Sequence, residues 1–437
     1  MRPSIFVLVL AFLAAAHLCA VTVEPKQPEK KTGWMLLNDL FGAPIWSDYY
    51  LWDDPPEEVA KRLNLPEESR TSTMASYRAY TSGGRQVVKE PCYSFAMFCD
   101  TGRISSISIV FANQGDFPGM DVFAEPWPED EEDEAEYKQK QKKVWRKYYN
   151  TFMRASTNVE NRLTALLHAP REQKFGEGKD DTVEVVKRWD VKGHALLFTA
   201  PKDEYVALRI VPTEVADAEG RMEHLADSVV REMMKSRVVT RENGDVIISD
   251  IPMIDQGDKG FCVSATWSRY LAYMGIHIDL YLLASTAQTR RGGGARLSTM
   301  LNNINWFIYK HGRRMEIDAK PPLIKYVDGY INDGVPIIWP LMVDEEFYVK
   351  ELNERAAKRR EMEDWDEWAF RVQQCNREAR NRKFAEDEAH VCMIIGYNKK
   401  TREIATTDSW GAEFEERWLT EEEAKALGPA GMIVIKW

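Results

Sequence analysis

Beyond its first twenty residues the chain has no apolar run long enough to cross a bilayer, and it has no excess of positive charge. Its 58 basic residues face 69 acidic ones, a net charge of -11 at neutral pH. That balance works against broad contact with phosphate backbones and anionic lipid, so neither a nucleic-acid partner nor a membrane span is expected. Cysteine is scarce: six occur in 437 residues, and Cys92, Cys99, Cys262, Cys375 and Cys392 remain once a leader carrying Cys19 is removed. An odd number, in a compartment where disulfides persist, leaves at least one thiol unpaired. Cys92 and Cys99 lie seven apart in what reads as one strand, so they face opposite sides and do not bridge each other. Glycine and proline are both missing from Asp344 to Glu388, where 24 of 45 residues are charged. Their absence excludes a loop and predicts a solvated hairpin of two helices, since a single rod of that length would reach roughly 65 Å.

What is present begins with MRPSIFVLVLAFLAAAHLCA: one arginine, an apolar run from Ile5 to Ala16, then small residues up to Ala20. This reads as a secretory signal peptide over residues 1–20, which predicts a secreted or periplasmic chain. Cys19 would suggest a lipid anchor, but Leu18 stands where a lipoprotein leader places a small residue, so anchoring is not expected. Residues 21–33, rich in lysine, proline and glutamate, read as a flexible lead.

A chain of this length exceeds one core, and the pattern divides it in two. Residues 34–237 read as an α+β module with a weak internal repeat, two α-β-β-β units. The first runs from EEVAKRLNL through SYRAYTSGG and PCYSFAMFCD to ISSISIVFAN. The second runs from NVENRLTALL through TVEVVKRWDV and HALLFTA to YVALRIVPT. Between them PWPEDEEDEAEYKQKQKKVWRKYYNTFMR, acids first and bases after, reads as a solvated helix aligned with its macrodipole. AEGRMEHLADSVVREMMK reads as one further amphipathic helix, and RVVTRENGDVIIS as a hairpin marking the boundary near Asn243 and Gly244. The second domain, residues 250–437, starts with a helix and ends with strands.

In DIPMIDQGDKGFCVSATWSRYLAYMG a glycine-rich polar loop gives way to an abrupt helical pattern at Cys262, with Val263, Trp267, Tyr270, Leu271 and Met274 on the buried face. A thiol at a helix N-terminus feels the positive end of the dipole, which favours the thiolate. Gln256, six residues earlier, stands where its amide and the Cys262 N–H can serve one oxygen. Five histidines have ordinary settings: His168 ends a helix, His194 and His311 abut glycines, His224 and His277 flank helices. His390 opens HVCMIIGY, a buried strand in which an imidazole needs a polar partner. For a hairpin turning at Lys399 and Lys400, paired numbers sum to about 799, which sets His390 opposite Asp408 or its neighbour.

DQGDKGFCVSATW, AHVCMIIGY and TDSWG resemble, in chain order, the cysteine, histidine and asparagine or aspartate motifs of papain-like cysteine peptidases, closest to the bacteriocin-processing-like branch. The resemblance covers Ile251 to Trp437, less the charged insertion. It implies a papain-like fold with Cys262 as nucleophile, His390 as general base and acid, Asp408 as orienter, Gln256 in the oxyanion hole and Trp410 shielding the His390–Asp408 bond. It implies a peptide or protein substrate and neither a metal nor an organic cofactor. Phe261 departs from the small residue that papain proper has before its nucleophile. Glycine-rich RRGGGARLSTM lines the cleft or forms a surface loop. The same triad also serves transglutaminase-like or amidase chemistry, and a silent peptidase fold would leave a secreted binding protein. The first domain reads as a targeting or adaptor module in preference to an inhibitory propeptide, the insertion 344–388 as an element that gates the cleft or recognises substrate.

Overall fold

The computed structural model describes residues 33–437 apart from 48–49, 116, 124, 126–127, 129, 179–181, 258–259, 290, 292 and 429–430. The expected signal peptide, and the expected lead up to residue 32, lie outside the described residues. Among these residues no helix is long and apolar enough to cross a membrane. Helices and two antiparallel sheets make the architecture α+β.

The first sheet has eight strands: β1 (Glu67–Arg70), β2 (Met74–Val87), β3 (Glu90–Asp100), β4 (Arg103–Asn113), β5 (Arg171–Gly176), β6 (Val183–Val191), β7 (His194–Thr199) and β8 (Tyr205–Pro212). Their order is β1-β2-β3-β4-β8-β7-β6-β5, so two four-stranded meanders join where β4 meets β8. The expected three strands per unit is thereby corrected to four. The added strands, EESR and REQKFG, are the two edges of the sheet and lack the apolar alternation that marks a strand in sequence.

The helices before the two meanders differ: α1 (Pro56–Arg62) has 7 residues and α2 (Glu131–Leu166) has 36. α2 absorbs both the acid-to-base segment and NVENRLTALL, and it is not merely solvated. Tyr148, Phe152, Ala155, Val159 and Leu163 recur at steps of three and four and are buried in one core with Ile107, Ile109, Leu208 and Ile210. Buried Glu90 on β3 accepts from Asn158 and pairs with Arg154 and Arg162, which fixes the helix along the sheet. The other face of β4 and β8 is also covered. Val110, Tyr205 and Ala207 pack there against Ile254, Phe261, Ala265, Leu280, Tyr281 and Ala284 of the second half.

The expected helix over AEGRMEHLADSVVREMMK forms only as α3 (Asp227–Ser236). Glu219 and Gly220 both take positive φ, 55° and 73°, which no helix accommodates, so residues 221–226 run as an irregular connector.

The second sheet holds β9 (Val238–Thr240), β10 (Asp245–Ile248), β11 (Arg314–Asp318), β12 (Ile337–Val343), β13 (Glu388–Asn398), β14 (Glu403–Thr407), β15 (Arg417–Thr420) and β16 (Met432–Lys436). Its order is β11-β16-β12-β13-β10-β9, with β14 pairing β13 and β15. The hairpin forms as expected at Asn243-Gly244, but its strand β10 pairs with β13, so it belongs to this sheet rather than to a linker. α4 (Cys262–Tyr273), α5 (Leu280–Thr286) and α6 (Leu297–Lys310) precede β11. Trp267, Tyr270 and Leu271 of α4 are fully buried in one core with Trp339, Ile394 and Ile433 of the sheet.

The charged insertion folds as a one-turn π segment (Glu345–Glu351), then α7 (Leu352–Arg360) and α8 (Trp365–Ala379). Two helices form, both packed against β15, so the expected solvated projection is corrected. Phe347, Tyr348, Leu352, Ala356, Trp368 and Val372 are buried. Arg359, itself buried, pairs with Asp245 at 2.6 Å and Glu403 at 3.3 Å and stacks on Trp418. The insertion is part of the domain's core.

Candidate active site

α4 begins at Cys262, so the thiol sits over N–H groups that have no partner within the helix. Two contacts aim the helix: the Thr266 hydroxyl donates to the Val391 carbonyl at 2.9 Å, next to His390, and the buried Arg269 guanidinium donates to Pro252 O and Thr407 Oγ1. Cys262 is half-buried. The glycine-rich segment is no free surface loop. Gly294 N–H donates to Gly260 O, and a Cβ on Gly260 would lie 2.4 Å from Gly294 N, so only glycine permits this backbone contact two residues before the thiol.

His390 lies on β13 with its side chain buried, and its Nε2–H donates to Asp408 Oδ1 at 2.7 Å. The ring's other nitrogen is left for the neighbouring Cys262 thiol, which favours the charged imidazole. Register brings them together with a small offset from the expected sum. Met393 pairs with Thr407 and Tyr397 with Ile404, sums of 800 and 801, because the turn spans 399–402 and a bulge follows Ile394. His390 therefore stands across from position 410, and Asp408 reaches it diagonally on the same face. Trp410 stacks on the imidazole with ring centres 4.2 Å apart, covering the bond from solvent.

Two residues with no signal in the sequence complete this half of the site. Arg417 on β15 pairs with Asp408 Oδ2 at 2.7 Å, both side chains wholly buried. The Tyr348 hydroxyl, from the insertion, lies 3.2 Å from both carboxylate oxygens. Burial opposes ionisation of Asp408, but Arg417 and then His390 overcome it and hold the carboxyl down at about 2. Burial likewise opposes charge on His390. Asp408, by its hydrogen bond, and the nearby Cys262 outweigh it and raise the imidazole to about 9.

Gln256 is buried. Its backbone N–H donates to Ser409 O at 2.8 Å, and its Oε1 accepts from Ser409 Oγ at 2.6 Å. That oxygen is thus held by the residue after Asp408. The loop carrying it is gripped by the first domain: Met253 N–H donates to Ser69 Oγ at 2.8 Å, Asp255 N–H to Glu68 Oε1 at 3.1 Å, and Tyr80 Oη to Asp255 O. Glu68 is in turn fixed by buried Arg78 at 2.7 Å. Phe261 is 1% exposed, among Val110, Tyr205 and Tyr281. Its bulk fits because it fills the junction between the halves, not the cleft.

A thiol at a helix start, an imidazole beside it and a buried carboxylate behind the imidazole are the arrangement by which a general base activates a nucleophile. Residues 248–426 match the model of the Peptidase_C39 like family. The match supports the papain-like cysteine peptidase superfamily for this C-terminal region, and at the level of the family a cysteine peptidase-type hydrolase. No curated protein matches the chain. The peptidase-like region thus comprises α4, the insertion and the strands that carry His390 and Asp408.

Proposed function

We propose that the chain is a secreted or periplasmic cysteine peptidase of the bacteriocin-processing-like branch, acting through Cys262, His390 and Asp408. The observation that carries this reading is the linear array from the first residue of α4 through His390 to an acid held ionised by Arg417. In the proposed reaction the Cys262 thiolate attacks a peptide carbonyl and the C–S bond forms. The oxyanion is met by the Gln256 amide and the Cys262 N–H. His390 then gives its proton to the departing amine as the C–N bond breaks. Water, deprotonated by His390, hydrolyses the thioester and frees the thiol. Asp408 keeps the ring oriented, and Trp410 keeps water off that bond.

Incubation of the protein with a mixture of unfolded proteins and mapping of new N-termini by mass spectrometry tests the reading. New termini are expected with the wild type and are expected to fall by about 10,000-fold or more with Cys262→Ala. Incorporation of an added primary amine without new termini would replace hydrolysis by transglutaminase-like exchange. Neither product would leave a binding protein on a silent fold.

A further inference from the structure

Glu177, His224 and His311 are remote in sequence and meet where the two halves of the chain touch. Glu177 follows the edge strand β5, His224 lies in the irregular connector before α3, and His311 caps the C-terminus of α6. His224 Nε2 lies 2.7 Å from Glu177 Oε1, and His311 Nε2 lies 3.4 Å from Glu177 Oε2. The two rings are 4.6 Å apart, and one ligand atom from each of the three residues falls within 4.8 Å of the others.

The decisive side chain is His311, 3% exposed. Its Nδ1 lies 2.9 Å from the Phe307 carbonyl, which can only accept, so Nδ1 carries the hydrogen and Nε2 keeps its lone pair in the neutral ring. That Nε2 is buried and makes no hydrogen bond. It faces a carboxylate oxygen, and two acceptors facing each other call for a cation between them. A metal ion meets that need, and the carbonyl on Nδ1 is the outer contact that orients a metal-bound histidine.

We propose that Glu177, His224 and His311 bind one divalent transition-metal ion, zinc by the chemistry of two imidazoles and a carboxylate, and that the ion clamps the first domain to the peptidase-like region. Zinc bonds of about 2.0–2.1 Å in tetrahedral geometry separate ligand atoms by roughly 3.3–3.5 Å. The Glu177–His311 spacing already has that value. His224, 2.7 Å from the other oxygen, Oε1, has a side chain 39% exposed and comes into place by a turn of that side chain.

The test uses the full chain carrying Cys262→Ala, so that the thiol beside His390 does not itself take zinc. The protein is stripped with a chelator and titrated with zinc against a chromophoric competitor, and its thermal unfolding is followed with and without the metal. About one equivalent is expected to bind with a rise in Tm. His224→Ala, on an exposed connector, and Glu177→Gln are each expected to weaken binding by more than the roughly 10–100-fold that loss of an outer contact costs, and to remove the rise. Failure of the parent to bind stoichiometric zinc, or an affinity in either variant equal to the parent's, overturns the site. Binding at this site without a change in Tm overturns the clamp.

Discussion

Removal of the first domain together with α3 and β9, leaving a chain that starts at Val246, is expected to abolish turnover and the selective reactivity of Cys262. Four groups of contacts are lost at once. Ser69, Glu68 and Tyr80 release the loop of Met253 and Asp255 that leads into Gln256. Ser108 releases Asp279, whose side chain caps the start of α5. Val110, Tyr205 and Ala207 uncover Phe261, Ile254, Leu280 and Tyr281. β10 loses its hairpin partner β9. Burying a large apolar side chain is worth about 1.5–3 kcal/mol, so uncovering four of them consumes much of the roughly 5–15 kcal/mol that holds a domain folded. Hydrolysis of a small fluorogenic peptide and alkylation of Cys262, measured on both chains, check this. A shortened chain far more active than the full one would make the first domain an inhibitory propeptide, which is the reverse of the support described above.

Asp408→Asn is expected to lower turnover by roughly 1,000-fold, close to the loss in Asp408→Ala. In isolation an amide oxygen can still accept the His390 N–H, which argues for a mild effect. Arg417 decides otherwise, because both members of the Arg417–Asp408 pair are wholly buried and the neutral amide strands a guanidinium. Breaking such a pair costs about 3–5 kcal/mol. Adding Arg417→Gln to Asp408→Asn should therefore recover stability and at least about 10-fold in rate, a coupling that independent sites do not show. The pH dependence has a definite sign. Asp408 has its carboxyl depressed to about 2, so its contribution is present above the unfolded value and is lost as pH falls through the folded one. The wild type's margin in Tm over Asp408→Asn should then hold between about pH 5 and pH 6.5 and shrink between about pH 4 and pH 2. His390, raised to about 9, acts in the opposite sense. Its contribution is complete below about pH 6.5 and disappears as pH rises through 9. A margin unchanged down to pH 2 would contradict the ionised acid.

The part of the site that was legible in sequence is local. Cys262 stands where a glycine-rich loop meets a helical period, and His390 opens an apolar strand whose return leg ends in an acid. Hairpin arithmetic came within two residues because only one turn separates the partners. Tyr348 and Arg417 were not legible, since each touches Asp408 only through tertiary packing and neither has a local pattern that marks it. The insertion misled for a related reason. Its charge count suggests a solvated hairpin, yet Tyr348, Leu352, Ala356 and Arg359 recur at three and four, as do Trp368, Val372, Asn376 and Ala379, and these are its buried positions. Periodicity outweighed composition there. His224 and His311 read as ordinary because their common partner, Glu177, follows an edge strand with no pattern of its own.

Alkylation of the native protein with iodoacetamide at neutral pH, quantified cysteine by cysteine by peptide mass spectrometry, tests the nucleophile most directly. All five described cysteines are free, so each reports on its own surroundings. Burial raises the Cys92 thiol to about 11 and the Cys99 thiol to about 12, and it pushes Cys375 and Cys392 upward as well. Cys262, at the start of α4 and beside His390, is expected to be labelled first and at least about 10-fold faster than any other, and His390→Ala is expected to remove that advantage. Labelling of Cys262 no faster than of Cys375, or at a rate indifferent to His390→Ala, would contradict the assignment of Cys262 as nucleophile.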